Sequence, residues 1–195
     1  MFHRSAVAML LTLALGACTT ATETNPPRTA TEQLLISTAA DRAAARLAFH
    51  VPKGSKVFLD SADFSGYDSK YAIAAITDSL LKQGAHLVDS KAKADTVVEI
   101  RAGALSTDQR VTLFGIPSFN VPIPLAGGLQ FPEIALYKKQ LQEGVAKFAA
   151  TAYDAKDGAL LGSADPQFGF SHNTKKTVLI FFSWTSNDAL PDGGD

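Results

Sequence analysis

TVVEIRAGAL, residues 96–105, sets Val98, Ile100, Ala102 and Ala104 on one side of an extended chain and Glu99, Arg101 and Gly103 on the other. Side chains alternate between the faces of a strand, so this spacing predicts a strand with one face in a core and the other in water. GVAKFAATAY at 144–153 alternates in the same way, and DAKDG at 154–158 is a hairpin-type turn into a short strand at 159–162. KVFLD at 56–60 reads as a short buried strand, residues 85–88 as another short strand, and 167–171, after Pro166, as a further strand. TVLIFFSW at 177–184 is an apolar run suited to one more buried strand and too short to span a bilayer.

Between residues 32 and 50, Ile36, Ala40, Ala43 and Leu47 recur at close to 3.6 residues, and Pro52 enforces a stop, so this segment predicts an amphipathic helix. A second helix is predicted from about 68 to 83, with Ile73, Ile76, Leu80 and Leu81 on its apolar side and Gly84 as its C-terminal cap. The order of these elements predicts one α+β domain over residues 32–187: a mixed, mostly antiparallel sheet with helices on one face. Residues 188–195, ending in ALPDGGD, read as a disordered tail.

With 195 residues, 46% of them hydrophobic and 19% charged, the chain can bury one proper core and carry extra terminal segments. Its net charge is -1. A near-neutral chain without a basic cluster has nothing to neutralise phosphates, which argues against a nucleic-acid partner. The single cysteine, Cys18, excludes an internal disulfide and a thiolate metal cluster.

That cysteine has a specific setting. Residues 1–4 (MFHR) form a weakly positive head, residues 5–15 form an apolar stretch of signal-peptide length, and Leu15-Gly16-Ala17-Cys18 follows. LGAC resembles the lipobox of bacterial lipoproteins: a branched apolar residue, two small residues that fit a membrane peptidase, then Cys. The resemblance implies cleavage between Ala17 and Cys18, so that residues 1–17 are a signal peptide, a diacylglycerol thioether on Cys18, and an acyl chain such as palmitate on the freed amine. Two or more chains anchor a protein stably where one does not. Thr19 after the cysteine, by resemblance to enterobacterial sorting, implies the outer membrane with the domain facing the periplasm; the leaflet stays open. Residues 18–31, Thr-rich with Pro26-Pro27, read as a flexible tether.

From Lys56 onward the chain resembles an uncharacterised family of bacterial lipoproteins with a domain of unknown function. The resembling phrases are YDSKY (67–71), ADTVVEIRAGAL, GIPS, PIPLAG, PEIALYK, GVAKFA and AYDAKDG. The element order after a tether is also similar to the periplasmic domains of penicillin-binding-protein activators and the curli-secretion lipoprotein. Neither resemblance brings an activity to this chain.

VTLFGIPSFNVPIPLAGGLQFPE, residues 111–133, has prolines at 117, 122, 124 and 132 and Gly127-Gly128. Four missing donors predict a long loop that no regular strand crosses, and that disfavour a membrane-spanning β-hairpin. The segment is far more apolar than a solvated loop. It either folds over the sheet to complete the core, or offers Phe114, Ile116, Phe119, Val121, Ile123 and Leu125 as a contact surface for a partner or second copy, or dips into the membrane.

Chemistry is sparse. His50, His86 and His172 lack metal-ligand spacing, Asp60, Asp63 and Asp68 lack the alternating pattern of a calcium loop and suit turns and capping of the second helix, and Ser171-His172 has no nucleophile elbow. Trp184 and the two phenylalanines before it read as core. No cofactor, catalytic residue or metal ligand is assigned. The expected function is therefore non-enzymatic: a lipid-anchored envelope protein, joined to the membrane through Cys18, with a domain that binds an unknown envelope protein or itself. The alternative is an enzyme or small-ligand carrier acting on envelope material, with a pocket under residues 111–133.

Overall fold

The structure, a computed structural model, describes residues 27–49, 51–123 and 127–190. Thr29 starts helix α1 (Ala30–Arg46) with a reciprocal capping box: its hydroxyl accepts the Glu32 N–H at 3.2 Å, and the Glu32 carboxylate accepts the Thr29 N–H at 2.8 Å. Ile36, Ala40, Ala43 and Leu47 are all buried, as their spacing predicts. Helix α2 (Ser69–Lys82) buries Ala72, Ile76 and Leu80 and leaves Leu81 exposed; Gly84, at φ +93°, follows its last turn. Asp68 does not cap this helix with its side chain. It sits in a left-handed conformation and forms an ion pair with Arg28.

The strands are β1 (Lys56–Asp60), β2 (His86–Leu87), β3 (Thr96–Ile116), β4 (Phe119–Ile123), β5 (Gly127–Phe131), β6 (Ile134–Asp154), β7 (Leu160–Val178) and β8 (Phe182–Asn187). Six of them form one sheet in the order β2-β1-β3-β6-β7-β8, parallel where β1 meets β2 and β3 and antiparallel elsewhere; β4 and β5 pair separately. The domain is α+β, as the element order predicts.

The alternation of TVVEIRAGAL holds through Ala102 and then breaks. Gly103 is the extra residue of a bulge between Ala102 and Ala104, so Leu105 and not Ala104 returns to the core opposite Ala146. The core face of the sheet thus runs Val98, Ile100, Leu105, Ala146, Phe148, Ala150 and Ala152, with Phe148 tilted against Phe64 at 5.2 Å between ring centres.

Helix α1 lies on this face at backbone contact. A Cβ at Gly169 would fall 1.9 Å from the Ala39 carbonyl oxygen, and one at Gly144 would fall 2.3 Å from that of Leu35, so both positions require glycine. Between them, the buried Ser171 hydroxyl donates to the Leu35 carbonyl at 2.6 Å.

Residues 111–133 are not a structureless loop. Strand β3 continues to Ile116, β6 begins at Ile134, and β4 and β5 form a hairpin between them. The prolines permit this because of where they fall. Pro117 and Pro132 lie in the gaps between strands, and Pro122 sits opposite Gly128 in a two-stranded ribbon, where each strand has an outer side that needs no ladder donor. Pro124 lies outside the described residues.

TVLIFFSW is likewise not one buried strand. Strand β7 ends at Val178, the chain turns through Leu179 (φ +49°) and Ile180 (φ +67°), and β8 returns from Phe182. Both residues are left-handed, a conformation costing roughly 1–2 kcal/mol for a residue with a Cβ. The run contains none of the Gly, Pro, Asn or Asp residues that mark turns, which is why its pattern reads as continuous.

Candidate functional site: the tip of the β-blade

Strands β3 and β6 have 21 residues each, about 70 Å of extended chain. Helix α1 covers only the part near Gly144 and Gly169, so the strands project beyond it as a bare blade. Rows across the blade can be read from the register. Immediately beyond the helix, Asp108, Glu143 and His172 share one face, and Gln109, Gln142 and Asn173 share the other. This polar waist is bonded internally. The His172 ring meets Glu143 at 3.1 Å and Asp188 at 3.2 Å, the Asn173 amide donates to Gln142 at 3.1 Å, and Arg42 reaches Asp188 at 3.2 Å.

Burial alone would raise the Asp188 pKa. The His172 backbone N–H, the His172 ring and Arg42 outweigh it, holding the carboxyl below its ordinary range. Asp188 is therefore tied down one residue into the segment expected to be a tail. At the other end of the chain, the Arg28 guanidinium holds Asp68 below the usual carboxylate range and is itself raised by that partner. Arg28 thereby joins the folded body inside the segment expected to be a tether.

Past the waist come rows that carry Arg110, Lys138, Lys139, Lys175 and Lys176, and beyond them the composition turns apolar. Phe114, Tyr137, Val178 and Phe182 form one row, with Trp184 in the row below alongside Thr112, Lys139 and Lys176. Above them, the β4–β5 ribbon places Phe119, Phe131, Val121 and Leu129 on one side, with the two phenylalanine rings stacked at 4.8 Å, and Asn120 and Gln130 on the other. The turn after β7 adds Leu179, Ile180 and Phe181, the last 84% exposed.

Of the contact residues read from the sequence, Phe114, Ile116, Phe119 and Val121 are exposed and gather at this tip. Ile123 lies on β4, though its side chain is outside the description, and Leu125 lies outside the described residues with Ala17 and Cys18. The described side chains of this segment do not complete the core: Phe114 is 68% exposed. Phe181, Phe182 and Trp184 belong to the same tip rather than to the core, a correction that follows from the unmarked turn at Leu179-Ile180.

Elsewhere the chemistry is structural. Ser171 and His172 are adjacent on a strand and so face opposite ways: the serine bonds a helix carbonyl while the histidine bonds two carboxylates, which rules out a nucleophile–base couple. Among the described residues no group of three His, Cys, Asp or Glu is placed to hold a metal ion. A groove of about 540 Å³ lies between α1 and α2, lined by Asp41, Arg46, Leu47, Asp78, Lys82 and Gln83; it is remote from residues 111–133. Among the described residues no helix is long and apolar enough to cross a membrane, a statement that does not extend to strands.

These features define a class: an α+β domain whose central sheet outgrows its helical cover and ends in an exposed apolar tip. The chain belongs to DUF6655, a family of unknown function, whose model matches residues 12–161. The matched span takes in the LGAC stretch and the elements from α1 through β6, and ends at the start of β7. Comparison with curated proteins gives no match.

Proposed function

We propose that this protein is a lipid-anchored, non-enzymatic component of the bacterial envelope, held through acyl chains on Cys18, that uses the blade tip to engage another envelope protein or a second copy of itself. The observation carrying this reading is the tip itself. Apolar residues that could not reach the core are held in a paired and partly strained scaffold, separated from the core by a polar waist; exposed clusters of this kind mark contact sites.

The orientation of α1 adds support. Leu35 packs against Gly144 and Ala39 against Gly169, which neighbours Ala146, so the helix starts on the side of the tip. The described chain thus begins on the side of the tip, which favours an orientation with the tip toward the anchoring membrane. The LGAC sequence supports the anchor, and Thr19 an outer-membrane site facing the periplasm.

The test is co-purification from detergent-solubilised membranes, together with the mass of the mature N-terminal peptide. The peptide is expected to begin at Cys18 and carry the added mass of acyl chains. Phe114→Ser with Phe119→Ser is expected to lower recovery of associated protein at least tenfold without shifting the unfolding midpoint. Unchanged recovery would remove the tip from the reading, and an unmodified peptide would remove the anchor.

A further inference from the structure

The edges of the sheet are treated differently along its length. Near the helix, the outer edge of β7 is closed: Arg42 donates to the Phe170 carbonyl and Arg46 to that of Phe168, while the His172 carbonyl accepts the Asp188 N–H at 3.0 Å. From Asn173 onward β8 covers β7. The next edge is then β8 itself, and among the described residues nothing pairs with its outer side. On the opposite edge, β1 covers β3 only from Thr96 to Glu99, so β3 is unpaired among the described residues over the whole blade.

Folded proteins blunt such edges with lysine, proline or bulges, and β8, reading FSWTSN, has no charge, no proline and no bulge. The two open edges also lie at one height. Through the register, Phe182 is level with Phe114, Trp184 with Thr112, Thr185 with Val111 and Asn187 with Gln109.

We infer that the blade pairs edge to edge with a second copy of this chain, β8 of one molecule adding to β3 of the next in an antiparallel, in-row register. This deepens the proposed function by naming its partner, and it rests on that reading for the common orientation of the copies. The strands of the blade alternate in direction, so an added β3 continues the alternation without a fault. The match is chemical as well: Phe182 meets Phe114 and extends the aromatic row, while Asn187 meets Gln109 and extends the amide row. A two-fold β8–β8 pairing would turn one blade upside down, which a shared membrane anchor forbids. The head-to-tail contact keeps every tip on one side, and such contacts propagate until a ring closes.

The test is disulfide trapping with the full chain carrying Cys18→Ser, which has no other thiol. Val111→Cys and Thr185→Cys lie on opposite edges, three strand spacings or about 14 Å apart, too far to bridge within one molecule. Under mild oxidation the double variant is expected to give a ladder of trimers and larger species, and each single variant no ladder. Both positions are exposed, and an unchanged unfolding midpoint confirms that the variants fold. Independently, Ser183→Lys with Thr185→Lys is expected to reduce the native mass to that of a monomer.

A double variant that stays monomeric overturns the proposal, as does one whose only cross-linked product is a dimer. So does a monomer that floats with phosphatidylethanolamine and phosphatidylglycerol vesicles, which would assign the tip to lipid. Because Cys18 is absent from this chain, the ladder is read independently of the anchor, whose own failure shows only in the N-terminal peptide.

Discussion

Each of the two longest strands passes through two environments. At the base, Val98 and Ile100 of β3 and Phe148 and Ala150 of β6 are buried beneath α1 and α2; at the tip, Phe114 and Ile116 of β3 and Ile134 and Leu136 of β6 are exposed. The β3–β6 ladder runs through both places, while the other side of β3 is paired with β1 only from Thr96 to Glu99. What differs is the partner layer. At the base, glycine and alanine let a helix approach to backbone contact, whereas the blade presents amides and carboxylates at its waist, then lysine and arginine, and large apolar groups at its end. Hydrophobic residues on a strand therefore mean core only where another element can reach them, and large unpartnered ones mean contact surface.

This contrast can be broken by matched substitutions. Phe148→Ala at the base should cost about 3–5 kcal/mol by urea unfolding, because it opens a cavity in contact with Phe64 and both layers. A loss below about 1 kcal/mol would mean that the base is no more of a core than the tip. Gly169→Ala should cost about 1–3 kcal/mol, since the added methyl forces α1 off the sheet at the Ala39 carbonyl; an unchanged midpoint would show that the helix does not lie at that distance. Phe181→Ser at the tip should move stability by no more than about 0.5 kcal/mol, as expected for a group exposed on all sides. If it destabilises as Phe148→Ala does, the tip is packed in the isolated molecule and is not a contact surface.

Much of the base is legible from local pattern. The helical repeat of Ile36, Ala40, Ala43 and Leu47, the cap at Gly84 and the alternation of TVVEIRA each report a face, because a face follows directly from the period of the element. The errors lie where pattern and environment part. Prolines in 111–133 argue against strands in general, yet between strands and on a two-stranded ribbon they cost no ladder bond. TVLIFFSW has no Gly, Pro, Asn or Asp, so only tertiary pairing, with the Leu179 and Ile180 N–H groups bonded to the carbonyls of Leu136 and Ala135, shows where it reverses. The bulge at Gly103 shifts the face of everything after it by one residue, and no periodic reading anticipates that.

The amino-acid sequence by itself determined the α+β class, the face of α1 and part of that of α2, the apolar character of residues 111–133 and the lipobox-like setting of Cys18, since these depend on spacing and composition alone. Tertiary structure decided that the apolar segment is a continuation of β3 and a paired ribbon, that FFSW is a turn and an edge strand level with Phe114, and that β3 and β8 end as level open edges. Those depend on which strands meet and in what register, and register is set by contacts between residues far apart in the chain, which local periodicity does not encode.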